Sequence, residues 1–256
     1  ICKIFFFLLT HFIIKIGDIM RDLHSHFLYG VDDGSRNLDE TLAMLKNATL
    51  NGVTDIVFTP HFIEESKYQS LPIDNKIILE KIKEEFDEEI NLYLGNEVYI
   101  NKNIIKYYKE KKLTTINNSR YMLIEIPMHS KINEVKSIFF ELLSEGITPI
   151  LAHPERYEPY YKDYEFFYSL RNMGVLMQIN FASLNGVYGR HAKYMAKNLL
   201  KLNLISFVGS DIHHDDKRFD GLKKATNTIY RLCGETKAKE ILEDNFTKVI
   251  KNEEIK

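Results

Sequence analysis

From Met20 onward, short apolar or β-branched runs of about five residues alternate with longer stretches whose apolar side chains recur every three or four positions. The short runs read as strands and the longer stretches as amphipathic helices. Strand one opens at Met20. Asn37-Leu38-Asp39-Glu40 is a helix start, with Asn37 as N-cap and Glu40 closing a capping box. Leu38, Leu42, Leu45 and Ala48 form that helix's buried stripe, and Gly52 ends it. A strand over 54–58 follows, then a helix with Ile78, Ile82 and Phe86 on one face, then a strand over 91–94. A helix over 101–111 leads to a hairpin turn at Asn117-Asn118-Ser119 and a strand over 121–126. Ile132, Val135, Phe139 and Leu142 mark the next helix, stopped by Gly146. The pattern continues with strand 148–152, helix 164–173, strand 175–180, helix 190–202, strand 205–209 and helices near 221–232 and 236–243. No repeat, linker or low-complexity segment divides residues 20–256, which are expected to form one domain.

Seven strands, each followed by a helix, predict an α/β protein with a parallel sheet, and their even spacing favours a closed TIM-like barrel. Active sites of such barrels lie at the C-terminal ends of the strands. What each strand ends in is therefore informative. Strand one ends in His24 and His26, with Asp33 in its loop, and strand two runs into Thr59-Pro60-His61. Strand three ends at Glu97, strand four at Glu125, strand five at His153 and strand seven at Asp211 and His213. Strand six alone lacks a histidine or acid at its tip and carries Gln178 and Asn180. An isolated His-x-His pair says little. Six of seven strand ends offering metal-ligand side chains at one face says much more.

Composition narrows the chemistry. The chain is 45% hydrophobic and 27% charged, as in ordinary globular proteins with ample core. A net charge of -2 gives no general pull toward nucleic acid or an anionic membrane, so any bound anion needs a local site. Cys2 and Cys233 show neither zinc spacing nor a disulfide framework. Neither has an arginine six residues on, which excludes a cysteine-nucleophile phosphatase loop. A reduced, cytoplasmic protein is expected. Residues 4–16 are almost all apolar yet too short to span a bilayer, and no small-residue cleavage site follows them. The expectation is that 1–19 form an apolar extension outside the native protein and that Met20 is its start.

Five imidazoles and four carboxylates without a thiolate suit Mn, Fe or Zn better than Ca or Mg, and they are too many for one ion. A cluster of two or three ions favours phosphoester hydrolysis, with amide hydrolysis possible on similar barrels. Arg156 and Arg218, in the loops after His153 and His213, add guanidinium forks that match phosphate oxygens. Asp33 is preferred over Asp32 as a ligand, and Asp22 is expected to orient a histidine. His129 is placed behind the site or on the surface, His191 on an exposed helix face, and His214 pointing away from its neighbour.

The order His24-x-His26, Asp33, His61, Glu97, Glu125, His153, Asp211-x-His213 resembles the polymerase and histidinol phosphatase (PHP) superfamily, whose fold is a distorted seven-stranded barrel with a trinuclear metal site. Gly30-Val31-Asp32-Asp33-Gly34, Thr59-Pro60-His61, Leu123-Ile124-Glu125-Ile126-Pro127, Ala152-His153-Pro154-Glu155-Arg156 and Ser210-Asp211-x-His213 are similar to motifs of the bacterial manganese-dependent tyrosine-protein phosphatases of capsular and exopolysaccharide operons. The resemblance runs from Met20 to about Leu222, and Ile126, in place of a frequent phenylalanine, is its one departure. It implies a first ion on His24, His26, Glu97 and Asp211, a second on Glu97, Glu125 and His153, and a third on Asp33, His61 and His213. Arg156 and Arg218 would be the phosphate-facing, catalytic arginines.

The activity so implied is hydrolysis of phosphotyrosine by a metal-activated hydroxide, with Mn2+ as the ion. The partner implied is the tyrosine-rich tail of a bacterial tyrosine kinase that regulates polysaccharide synthesis. A small-molecule phosphatase of the same barrel, such as one acting on histidinol phosphate, and a non-catalytic metal-binding scaffold are the alternatives. A nuclease-like activity fits less well, since no basic surface is evident in the composition.

Overall fold

The computed structural model describes residues 20–214 and 217–255, without the side chains of Lys217 and Arg218. The apolar stretch 1–19, with Cys2, lies outside the described residues. All the ladder pairings are parallel. β1 (Met20–Ser25) pairs with β2 (Val53–Phe58), and β2 with β4 (Asn91–Leu94). A second sheet runs in the order β3 (His61–Phe62), β5 (Glu97–Tyr99), β6 (Tyr121–Glu125), β7 (Thr148–Ala152), β8 (Leu176–Asn180) and β9 (Phe207–Gly209).

Seven expected strands have become nine because two are broken. β2 and β3 are one strand interrupted at Thr59-Pro60, where proline has no N–H to give. β4 and β5 are interrupted at Gly95-Asn96. Gly95 N donates to Phe58 O at 2.9 Å and Glu97 N to Pro60 O at 3.1 Å, so the neighbouring strands stay joined across both breaks. Among the described residues no ladder pairs β9 with β1. Two backbone bonds bridge that seam instead, Asp211 N to His24 O at 2.8 Å and His26 N to Ile212 O at 3.0 Å. The result is a distorted, barrel-like arrangement of parallel strands.

The helices, in chain order, are α1 (Leu38–Leu50), α2 (Pro72–Glu85), α3 (Ile104–Lys109), α4 (Val135–Ser144), α5 (Tyr164–Met173), α6 (Phe181–Asn185), α7 (Gly189–Lys201), α8 (Leu222–Cys233), α9 (Glu235–Lys239) and α10 (Asn245–Ile250). Asn37 caps α1, its side chain accepting from Glu40 N at 2.9 Å. The return half of the capping box is displaced by one residue, because Glu40 accepts from Arg36 N rather than from Asn37. The buried face of α1 is Thr41, Met44, Leu45 and Ala48, and that of α2 is Asn75, Leu79 and Ile82. Both stripes are rotated from the expected ones, with Leu38, Leu42 and Ile78 only half-buried.

The hairpin at Asn117-Asn118-Ser119 is not formed. Those residues make a 3-10 turn with left-handed Asn117 and Asn118, and the strand that follows joins its neighbours in parallel. The expected helix over 101–111 shortens to α3. The last helix extends beyond 243, through a π-helical turn at Glu240–Asp244 into α10.

Two apolar layers hold the fold. Ile56, Phe58, Met122, Ile124, Leu151 and Met177 belong to the larger layer that the helices cover. Leu23, Val57, Leu123, Ile150, Leu176 and Phe207 fill the barrel interior, closed by Phe246 and Val249 of α10. Period-two alternation then places polar residues above apolar ones: Glu125 follows Leu123 on β6, and Gln178 and Asn180 follow Leu176 on β8. An apolar floor thus carries a polar rim at the C-terminal ends of the strands. No helix among the described residues is long and apolar enough to cross a membrane.

Candidate metal centre

His24 is the last residue but one of β1, and His26 lies just past the strand. The pairing of β1 with β2 is irregular between Asp22 and Ser25, and the two rings, two residues apart, meet on the same side. Their Nε2 atoms are 3.1 Å apart. His61 comes from β3, Glu97 from β5, Glu125 from the end of β6, and His153 from the residue after β7. Asp211 and His213 sit in the loop after β9. His153 and Asp211 have left-handed backbones, with φ of 30° and 52°, a strained geometry that aims side chains at functional sites.

Glu97 is at the centre. Its Oε2 lies 3.2 Å from His24 Nε2, 3.3 Å from His26 Nε2 and 3.1 Å from His61 Nδ1. Yet this fully buried oxygen has no aligned hydrogen bond, and neither has His61 Nδ1. Its other oxygen meets His153 Nε2 at 2.9 Å. Ligands about 2.0–2.2 Å from one ion stand roughly 3.0–3.5 Å from each other, which is the spacing found here. A buried carboxylate oxygen without an aligned hydrogen bond, ringed by imidazole nitrogens, fits a cation.

Ligand atoms within 4.8 Å of one another form three groups. His24, His26, Glu97 and Asp211 make the first, as the resemblance implied. His26, Asp33, His61 and His213 make another, in which His26 joins the three expected residues. His61, Glu97 and Glu125 make the third; His153, the ligand expected there, is 3.8 Å from Glu125 Oε1. Asp33 is a group member, whereas Asp32 instead bonds His26 Nδ1 at 2.7 Å.

The electrostatics match. Burial, then the charges of Glu97 and Asp211, push Glu125 up to about 9. Burial opposes ionisation of His24, but Glu97 and Asp211 overcome it and raise the imidazole to about 9. Burial likewise works against the charge on Asp32, yet His26 holds that carboxyl down at about 2. His213 falls to about 4, through burial and then the neighbouring His26. In the ion-free protein, protons occupy a negatively charged nest that divalent cations would neutralise.

Arg156 Nη1 donates to Asp211 Oδ2 at 2.6 Å, and its guanidinium lies 4.3 Å from the Tyr188 ring. With Tyr161, Tyr188 and Arg190 it lines a cavity of about 910 Å³ beside the cluster. The Arg218 side chain lies outside the described residues. Asp22 accepts from the backbone N–H groups of His24 and Ser210, so it holds His24 through the main chain and binds β1 to the β9 loop. His129 is an exposed partner of Glu158, His191 stacks on Tyr161, and His214 turns to Glu40.

The sequence pattern and the geometry together specify one lineage: residues 20–251 match the family described as capsular polysaccharide synthesis, CpsB/CapC. The chain belongs to the CpsB/CapC family. It is 36% identical over 211 residues to CapC of Staphylococcus aureus, covering 81% of this chain and 82% of that one. It is 32% identical over 239 residues to the tyrosine-protein phosphatase CpsB of Streptococcus pneumoniae, covering 90% and 98%. The fold superposes, with a TM-score of 0.82 and 26% identity, on a structure from work on YwqE of Bacillus subtilis and CpsB of Streptococcus pneumoniae, described as unique metal-dependent tyrosine phosphatases. That likeness covers 93% of this chain and 96% of the other.

Within this CpsB/CapC barrel, strand six has a role that its lack of ligand residues concealed. Gln178 Oε1 accepts from His24 Nδ1 at 2.9 Å, Gln178 Nε2 donates to Asn180 Oδ1 at 2.9 Å, and Asn180 Nδ2 donates to Asp211 Oδ2 at 2.7 Å. The available signal was two amide side chains spaced by two at a strand tip. Glu155 was also missed. It is buried behind the site, where it accepts from Asn180 N at 2.9 Å and Ser183 Oγ at 2.6 Å.

Proposed function

We propose that this chain is a metal-dependent protein-tyrosine phosphatase acting in capsular or exopolysaccharide synthesis. In this reading, His24, His26, Asp33, His61, Glu97, Glu125, His153, Asp211 and His213 are the metal ligands of a single domain over 20–256. The observation that carries it is Glu97 Oε2, buried among three imidazole nitrogens with no aligned hydrogen bond, beside a guanidinium that faces an open cavity. Bound ions supply Lewis-acid charge that acidifies water and draws electron density from phosphoryl oxygens.

The chain's own groups do the rest. Arg156, held by Asp211 and the Tyr188 face, offers its remaining N–H donors to the non-bridging phosphoryl oxygens. Arg218 is assigned the same role from the loop after β9. A phenol ionises near pH ~10, far below an alkyl alcohol, so the tyrosyl oxygen leaves without a dedicated acid. No side chain is required to form a covalent intermediate.

Mn2+ is the proposed ion, two or three per chain, on the mixed N/O donor set; Fe or Zn would find the same donors. The proposed substrate is a phosphotyrosine protein, specifically the tyrosine-rich tail of a bacterial tyrosine kinase, and the proposed location is the cytoplasm. His61→Ala and Arg156→Ala test the site. His61→Ala is expected to abolish Mn-dependent hydrolysis of a phosphotyrosine peptide and Arg156→Ala to lower it by ~10²–10³, while thermal unfolding remains cooperative. Near-wild-type turnover in either would contradict the assignment.

A further inference from the structure

A second feature lies on the outer surface, between α7 and α8. There a groove of about 910 Å³ is lined by Lys193, Lys197, Lys223, Lys224 and Arg231, with Asp220 as its one acid. None of these five cations has an ion pair among the described residues. The chain as a whole carries a net charge of -2, so the concentration of positive charge is local.

Helical spacing explains it. Arg190, Lys193, Lys197 and Lys201 recur at intervals of three or four along α7, which puts them on one face, and no acid interrupts them. Lys223 and Lys224 open α8 and Arg231 follows two turns on. Burial first, then Lys193, Arg231, Lys201 and Lys224, depress the Lys197 ammonium below its ordinary range. Five cations and one acid are thus held together among the described residues, as in surfaces that take an anion.

The groove also has a direction. Arg190 opens the cationic face and lines the cavity that holds Arg156, so the stripe begins at the mouth of the active site. From Arg190 to Lys201 the helix rises about 17 Å. An extended peptide covers that distance in about five residues. Lys193 and Lys197 are half-buried in a concave surface, which suits a polypeptide better than a flat bilayer.

We propose that the α7–α8 groove is an exosite for an acidic segment of the phosphoprotein substrate, Glu- or Asp-rich and some five to ten residues from the phosphotyrosine. The assignment rests on the phosphatase reading for its purpose and on the groove for its chemistry. Exposed charge pairs each add a few-fold at most, so three or four engaged together give about tenfold in affinity.

The test uses the Mn-loaded full chain and two phosphotyrosine peptides identical around the phosphotyrosine, one with five glutamates beginning six residues away and one with five glutamines. Wild type is expected to show about tenfold lower KM for the glutamate peptide at low salt with kcat unchanged. In K193Q/K197Q/K224Q the two KM values become equal, with p-nitrophenyl phosphate turnover as the reference. Fluorescence anisotropy of the unphosphorylated glutamate peptide gives a readout independent of turnover, and its affinity should fall about tenfold in the variant. If no substrate is hydrolysed but the glutamate peptide still binds through these lysines, the exosite stands and the phosphatase reading falls. Equal KM for both peptides in wild type would overturn the exosite. So would an unchanged glutamate preference in the variant, or lysine-dependent binding of phosphatidylglycerol vesicles or oligothymidine in place of the peptide.

Discussion

The Nε2 atoms of His24 and His26 face each other at 3.1 Å, and the groups behind the rings fix which of their nitrogens carry protons. Asp211 Oδ2 only accepts, so Asn180 must present its amide nitrogen to it. Asn180 Oδ1 then accepts from Gln178 Nε2, and Gln178 Oε1 must accept from His24 Nδ1. Asp32 imposes the same choice on His26. With both Nδ1 atoms donating, the Nε2 lone pairs of the neutral rings point at one another. Only a cation or a proton between them removes that conflict.

The amide chain therefore belongs to the proposed metal site. Gln178→Leu leaves His24 free to flip and strands Asn180 Oδ1. Losses at such supporting groups run to ~10–100-fold in metal affinity. Calorimetric titration of the chelator-stripped protein with Mn2+ should show a fall of that size, with the fold retained. Unchanged affinity would mean that Gln178 does not orient the ligand.

Metal uptake should release protons. His24 is raised from 6.5 to about 9 in the ion-free protein, so its contribution to ion-free stability is complete below pH 6.5 and lost as pH rises through about 9. A bound ion has to displace that proton. Apparent metal affinity should rise by about tenfold per pH unit between those limits for each proton displaced. Titrations in buffers of different ionisation enthalpy measure the protons released. Asp32, lowered to about 2, has the opposite sign: its contribution is present above pH 3.8 and fades as pH falls through 2.

Arg156 is expected to act on the transition state. Removing one preorganised donor costs ~10²–10³ in kcat in comparable sites, and that is the loss expected for Arg156→Ala on a phosphotyrosine peptide. Arg156→Lys should restore little, since an ammonium reproduces neither the fork that bonds Asp211 nor the stacking on Tyr188. Steady-state kinetics on both variants checks this.

Gly209 is required by close approach rather than by its backbone angles. A Cβ there would stand 2.7 Å from His24 Cβ and 2.8 Å from Gln178 Nε2. Gly209→Ala should cost about 1–3 kcal/mol in stability, read from denaturant unfolding, and weaken metal binding as well.

The clustering of these side chains was legible because the sequence order of strands fixes where their ends lie in a parallel barrel. His61, Glu97 and Glu125 fall where short apolar runs stop, and the polar rim follows from period two. What escaped was decided by long-range contact. Gln178 matters through Asp211, a residue on the next strand's loop, and no local pattern carries that pairing. The breaks at Thr59-Pro60 and Gly95-Asn96 look like strand ends in sequence, and the rotated stripes of α1 and α2 depend on how each helix seats on the sheet. The turn at Asn117-Asn118 resembles a hairpin locally, yet the parallel ladder of β5 and β6 overrides it.

The most direct measurement takes the chelator-stripped chain, restores Mn2+, and compares hydrolysis of a phosphotyrosine peptide with that of histidinol phosphate. Mn-dependent release of phosphate with preference for the phosphotyrosine peptide is the predicted result. Preference for histidinol phosphate would contradict the substrate assignment, and inactivity on both with Mn2+ bound would leave a metal-binding scaffold in place of an enzyme.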